Sequence, residues 1–294
     1  MIWLLLSILS STAIMLIFKS FKRFQISTFH AIVVNYFTAI LVGFPFVQDW
    51  EVVSTSYTSW YYYALILGSL FITLFFLIGR TTQVLGISVA TVAMKLGYVL
   101  PIILAFTFYH EPISSIKVFA ILLTVVAVVL SSIKNQQDEH EVGRRKWLII
   151  LPLVIFVGSG VCDAIVQFTE KRFFQESGFE AFLLILFLTA ATLGLIAALI
   201  HDLKKGENNF TLRNILAGIC LGIPNYFSIY FLFKALNYYI NNSAAVFPIN
   251  NVGIVVTSTL LALLFFGERL NRKNIIGFIL AVLSIILMSF EHLF

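Results

Sequence analysis

The chain alternates long apolar runs with short polar turns. Hydropathy places the runs at residues 1–18, 29–47, 60–79, 87–109 and 114–133, then, past a polar stretch at 134–146, at 147–169, 179–200, 213–233, 243–266 and 274–290. A hydrocarbon layer about 30 Å thick takes about 20 residues of helix to cross, and most of the runs have that length. Their apolar residues are continuous rather than alternating, which excludes the strands of a membrane barrel. Inside lipid the backbone has no water to bond, so each run is expected to be a helix. The pattern predicts an all-α integral membrane protein with ten transmembrane helices.

Two stretches share one plan. Residues 81–132 and 235–289 each hold two apolar runs joined by a glutamate-bearing turn, His110-Glu111-Pro112 in the first and Gly267-Glu268-Arg269 in the second. Setting Glu111 on Glu268, an offset of 157 residues, pairs Leu123 with Leu280, Val125 with Val282, Leu130 with Leu287 and Ser132 with Ser289. Upstream, Arg80 matches Lys234 at an offset of 154, so one three-residue indel separates the blocks. The chain reads as a duplication, with a first five-helix repeat over 1–133, a cytoplasmic linker over 134–146 and a second repeat over 147–294. Because five is odd, the second copy enters the membrane from the opposite side, giving inverted repeats.

Ten spans, the duplication and the glutamate turn at the same place in both halves resemble the drug/metabolite transporter superfamily, EamA type, over the whole chain. The first half departs from that pattern in carrying His110 where a glycine usually precedes the glutamate. The resemblance implies a permease of the cell (inner) membrane that moves small organic solutes, amino acids or other metabolites, in the export direction by alternating access. A nucleotide-sugar or sugar-phosphate antiporter on the same fold is the alternative; such carriers usually need several basic residues in the cavity, and the sequence offers one. A membrane-embedded enzyme or scaffold would need acids or histidines clustered at an interface.

Composition narrows the classes further. Of 294 residues 60% are hydrophobic and 11% charged, against about a quarter charged in soluble domains. The net charge of +5 comes from residues spread through short turns rather than gathered in a patch, which argues against nucleic acid. Cys162 and Cys220 both fall inside apolar runs, so no disulfide framework is expected. Residues 1–18 lack the basic n-region and cleavage site of a signal peptide and read as the first span. Most Lys and Arg residues, Lys19, Arg23, Arg80, Arg145, Lys204, Arg213 and Arg272 among them, lie in the turns after odd-numbered spans. That bias places those turns in the cytoplasm and both termini on the outer face. Trp50, Tyr57, Trp60, Tyr61, Tyr62 and Tyr63 are expected to form an interfacial belt at the outer boundary, and most of the thirty phenylalanines to face lipid. No glycine-rich phosphate loop, His/Cys metal spacing or G-x-S-x-G elbow is present. The expectation is a non-enzyme without a cofactor, a monomer or weak dimer whose partners are the bilayer, a small-molecule substrate and protons as coupling ion.

Candidate chemistry sits in a few polar residues within the runs. Lys95, about 12 Å along its span, costs roughly 2.5–3.5 kcal/mol to place there. It shares a helical face with Ser88, Thr91 and Tyr98. The stripe either ligates an anionic group in a cavity or lets the lysine snorkel to the interface. Asp163 is the carboxylate well inside a span, on one face with Ser159, Gln167 and Glu170. Helix rise places it about 24 Å from the cytoplasmic side, some 12 Å above Lys95, so a direct ion pair is not required. It carries protons, binds a substrate amine, or is a hydrogen-bonded structural acid. Asn250 and Asn251 beside Pro248, and Asn225 after Pro224 with Tyr226 and Tyr230, suggest locally opened helices whose amides bond a ligand; interhelical hydrogen bonding is the alternative. Asn35 in span two is a further candidate for the centre. His30 is assigned to the cytoplasmic interface with no special role. Glu111 and Glu268 each stand just before a new helix, whose dipole a carboxylate complements. Gly158, Ser159 and Gly160 are expected to let helices pack closely.

Overall fold

A computed structural model describes residues 2–47, 60–101, 103, 115–132, 150–174, 178–206, 209–238, 243–268 and 270–293. Among these residues the chain is helical, without strands. The α-helices are α1 (Ile2–Arg23), α2 (Thr28–Gly43), α3 (Tyr61–Val84), α4 (Ile87–Leu96), α5 (Ser115–Ser132), α6 (Leu151–Phe173), α7 (Phe179–Lys205), α8 (Leu212–Tyr238), α9 (Ser243–Phe266) and α10 (Arg272–Leu293), and a 3-10 turn at Phe44–Phe46 follows α2. Among the described residues seven stretches are long and apolar enough to cross a membrane, and Ile87–Pro101 and Val118–Leu130 are shorter apolar helices. The outward surface carries Leu5, Leu41, Leu122, Leu203, Leu264 and Phe265. Water would not tolerate so apolar a coat on a bundle, but lipid does. The chain is a multi-pass membrane protein.

Helix ends follow capping chemistry rather than hydropathy. α1, α3 and α7 run on to Arg23, Val84 and Lys205, several residues past their apolar runs. α7 stops at Gly206, whose left-handed φ of 65° lets its N–H reach the Asp202 carbonyl. α9 stops at Gly267 (φ 56°), and the Glu268 N–H bonds the Ala262 carbonyl at 3.3 Å. α10 begins with a reciprocal box, in which the Asn274 N–H donates to Asn271 Oδ1 at 2.7 Å and the Asn271 N–H to Asn274 Oδ1 at 3.2 Å. Neither expected proline break is found: α8 is continuous through Pro224 and α9 through Pro248. The interruption falls in the fourth run, where α4 ends at Leu96 and turns at Gly97-Tyr98 before resuming.

Consecutive helices alternate in direction. One end of the bundle joins the C-termini of α1, α3, α5, α7 and α9 to the N-termini of α2, α4, α8 and α10. Its bonds are Gln83 Nε2 to Thr28 Oγ1 (2.7 Å), the Ser27 N–H to Asn214 Oδ1 (2.9 Å) and Asn274 Nδ2 to the Leu130 carbonyl (3.3 Å). This end carries Lys19, Arg23, Lys204 and Arg272. His30, expected to be inert there, is buried: Nε2 lies 3.0 and 3.1 Å from the two Asp202 oxygens and Nδ1 lies 2.7 Å from Ser27 Oγ. Asp202 also accepts from the Asn209 amide and side chain, so α2 and α7 are pinned together at this end. At the opposite end Trp60 packs inward on Phe174 and Phe182, while Tyr62 faces out. Trp50 and Tyr57 lie outside the described residues. Several phenylalanines are core rather than lipid filler. Phe18, Phe21, Phe174, Phe179, Phe182, Phe187 and Phe233 are fully buried, because helices that cross at an angle leave gaps that aromatic rings fill.

The most extensive packing joins α2 to α8 and α5 to α10. α8 meets α2 through Gly218 and Gly222, spaced four apart. A methyl added at Gly218 would stand 2.6 Å from the Ala31 carbonyl, and one at Gly222 would stand 2.6 Å from the Asn35 carbonyl. This is the small-xxx-small contact of membrane helices. It brings Asn35 within a turn of Asn225.

Candidate functional site: a polar centre between α2, α4, α6, α8 and α9

α4 and α6 touch backbone to backbone. A Cβ on Gly97 would meet the Gly160 nitrogen and the Phe156 carbonyl, each at 2.7 Å, and one on Gly160 would collide with the Gly97 carbonyl. Gly158 is likewise filled by Leu74. The Gly97–Gly160 crossing fixes the register of the two helices, with Lys95 two residues before it and Asp163 three residues after. Their separation along the axis is therefore about 7–8 Å, shorter than hydropathy boundaries give, because α6 begins at Leu151 rather than at residue 147. The Asp163 carboxylate acts electrostatically on Lys95, Tyr98 and Cys162. Lys95 and Asp163 are each only partly exposed. Neither makes a hydrogen bond, or an ion pair shorter than 4 Å, among the described residues.

The rest of the predicted α4 stripe divides. Ser88 bonds Glu268, Thr91 spends its hydroxyl on the Ile87 carbonyl (2.8 Å), and Tyr98 stacks on Phe247 of α9, centroids 5.9 Å apart and planes at 13°. On α2, α6, α8 and α9 these polar atoms are buried and without a partner among the described residues: Asn35 Oδ1, Tyr36 OH, Gln167 Nε2, Asn225 Nδ2, Tyr226 OH, Asn250 Oδ1 and Asn251 Nδ2. A buried polar atom left unsatisfied costs about 1–3 kcal/mol, so each of these calls for a partner that the described residues do not supply. Tyr36, absent from the predicted set, packs on Phe75 and Phe187, and Phe187 in turn packs on Tyr226. The signal for it was available: Tyr36 follows Asn35 in an otherwise apolar run.

Tyr230 stands apart from Lys95. It stacks on Tyr226 (5.6 Å, 23°), packs on Phe46 and Phe179, and shares with Phe179 the Lys234 ammonium, 5.4 and 5.5 Å above the two rings. Lys234 also lies 3.8 Å from Glu180. The site residues thus form a central group, Lys95, Tyr98 and Asp163, and an aromatic shelf that extends from Tyr226 to the end opposite Lys19. Among the described residues no hydrogen bond or ring contact joins Asn250, Asn251 or Gln167 to Lys95, and Glu111 lies outside them. Among the described residues no cluster of three His, Cys, Asp or Glu is placed to hold a metal, and Cys162 and Cys220 are free thiols.

The comparisons accord with a carrier. The EamA-like transporter family model matches residues 148–290. An "Uncharacterized protein" of Haemophilus influenzae is 27% identical over 96% of this chain and 95% of its own length. The "Probable glucose uptake protein GlcU" of Priestia megaterium is 26% identical over 58% of this chain and 55% of its own, and that of Staphylococcus epidermidis 27% over 58% and 54%. The chain thus aligns with about half the length of those uptake proteins. A solved structure described only as "Crystal structure of protein" shares the fold over 98% of this chain and 99% of its own, with a TM-score of 0.57 at 14% identity. Over residues 148–290 the chain is thus similar to the EamA-like transporter family.

Proposed function

We propose that the protein is a secondary transporter of ten membrane helices in two inverted five-helix repeats, residues 1–133 and 147–294, joined by a linker at 134–146. It moves a small zwitterionic solute such as an amino acid by alternating access. The packing supports the inverted arrangement. If α1–α5 correspond to α6–α10, a two-fold axis in the membrane plane pairs α2 with α7, α4 with α9 and α5 with α10, each pair antiparallel. All three pairs pack together; α2 meets α7 head to tail through His30 and Asp202, and α5 meets α10 through Asn274 and Leu130. The same axis exchanges the α2–α8 contact with α7–α3, and α1–α8 with α6–α3, and each of these contacts is present.

One feature carries the substrate reading: Lys95 and Asp163, unpaired among the described residues and partly exposed, are offset by about 7–8 Å of helix rise along the bundle. A carboxylate on Lys95 and an ammonium on Asp163 fit that spacing, and the cargo then supplies the counter-charges that make burial tolerable. Proton coupling would use Asp163 when cargo is absent. Purified protein in liposomes, screened with radiolabelled amino acids, organic anions and sugars, tests the reading; saturable counterflow of a zwitterion supports it. The second reading, uptake of a sugar, draws on the glucose-uptake relatives and on the unpartnered amide and phenol atoms of Asn35, Tyr36, Asn225 and Tyr226 beside stacked rings. Counterflow of glucose that survives loss of Lys95 would favour it.

A further inference from the structure

Glu268 was expected to serve the helix that follows it, but α10 has its own asparagine box. The Glu268 side chain instead crosses to the other half of the chain. Its Oε1 accepts the Ile87 N–H at 2.7 Å, and its Oε2 accepts the Ser88 N–H at 3.4 Å and the Ser88 hydroxyl at 3.3 Å. The Lys19 ammonium of α1 lies 3.0 Å from Oε1 and also donates to the Thr82 carbonyl of α3 at 3.4 Å. One carboxylate therefore binds the α9–α10 turn to α1 and to the first turn of α4, and through Lys19 to α3.

Two glycines make this reach possible. Gly267, at φ 56°, ends α9 and turns Glu268 back across the bundle. Gly86, at φ 109°, opens α4, and a Cβ on it would stand 2.9 Å from Glu268 Oε1. Beneath the carboxylate Phe18 and Phe21 are buried, with Phe75 5.0 Å from Phe18 and Gly79 fitted under the Phe18 ring. This end carries a buried aromatic layer and, beside it, an ion-paired clasp. Among the described residues α6 packs far less on α8 than α1 does on α3, although the proposed axis exchanges these pairs.

We infer that Glu268, Lys19 and the N-terminus of α4 form the gate latch of the basic end, closed in this structure. The inference rests on the transporter reading but is tested without a substrate. α4 is the link to the site, since it carries the latch at Ile87 and, about 12 Å along, Lys95 at its other end. Cargo that draws Lys95 toward Asp163 pulls on the helix that the carboxylate caps, so occupancy and gate opening are coupled through one rigid element. A carboxylate on two N–H donors at a helix N-terminus and on an ammonium is favoured by both dipole and charge. Opening must break all of these contacts.

Thr91 is fully buried on the α4 face between the latch and Lys95, and reports on the gate. In protein lacking Cys162 and Cys220 and carrying Thr91→Cys, reconstituted in liposomes, labelling by a membrane-impermeant maleimide is timed from each face. With the latch intact the basic face is protected. Glu268→Gln, and Gly86→Ala, which displaces the carboxylate without changing any charge, each raise the labelling rate from that face about tenfold or more. Lys19→Met gives a smaller rise, because the helix-end bonds survive. Glu268→Asp, one methylene short, behaves like Glu268→Gln and, being still charged, separates reach from charge. Thermal melting of each variant shows whether it is folded. Unchanged labelling in folded Glu268→Gln and Gly86→Ala proteins overturns the latch. Labelling of the parent from the basic face at the variants' rate also overturns it. Failed flux with intact gating would count against the cargo assignment alone.

Discussion

Neutralising the charged centre separates a substrate clamp from a structural pair. Lys95 and Asp163 are about 7–8 Å apart along the bundle, and at an effective dielectric of about 20 two unit charges at that distance attract by about 2 kcal/mol, or about thirtyfold in an equilibrium constant. Lys95→Met leaves Asp163 without its counter-charge, and Asp163→Asn leaves Lys95 without its own, so each single variant loses about that much stability. The double variant Lys95→Met/Asp163→Asn removes both charges and recovers most of the loss. Flux behaves differently if the two groups hold opposite ends of a zwitterion: each single variant reduces counterflow by about thirtyfold or more, and the double variant stays inactive although it is folded. The assay is counterflow of a labelled amino acid in liposomes, with melting curves measured on the same preparations. A double variant that transports like the parent refutes the clamp and leaves the pair a structural one.

Other outcomes follow from the packing. Gly222→Leu drives a side chain into the Asn35 carbonyl and Thr38, at 2.6 and 2.5 Å, and should lower the melting temperature through overpacking of about 1–3 kcal/mol; Gly206→Ala, with open space around it, should cost only about 1 kcal/mol of backbone strain. Asp202→Asn weakens the bonds to His30 and should lower the midpoint of denaturant titration, whereas His201→Ala, at a half-exposed ring, should stay within about 0.5 kcal/mol. Reporter fusions at residues 1 and 294 should both read as external, and ends on different sides would remove the ten-span topology.

Much of the architecture was legible in the sequence because lipid imposes a one-dimensional rule. Apolar length sets the helices, and the basic turns that hold Lys19, Arg23, Lys204 and Arg272 gather at one end of the bundle. Gly158 and Gly160 announced close packing, and Gly218-Ile219-Cys220-Leu221-Gly222 carries the same signal for α2 and α8. What could not be read were pairings far apart in the chain. Nothing local tells Glu268 to cap Ile87 rather than Asn274, or His30 to meet Asp202. Both choices depend on which helix ends share a layer. The proline breaks failed for a related reason: neighbouring helices in a packed bundle hold α8 and α9 continuous, while the interruption fell at Gly97, where α6 comes closest. Lys95 and Asp163 were found separately, and only the glycine crossing gave their distance.

Alternating access is tested most directly at Asp163. In protein lacking Cys162 and Cys220, Asp163→Cys is exposed to an impermeant thiol reagent from one face of sealed vesicles and then, in separate samples, from the other. The account predicts modification from both faces across the cycle, with no leak of the reagent through the protein. Modification from one face only under every condition, or from neither, would contradict it.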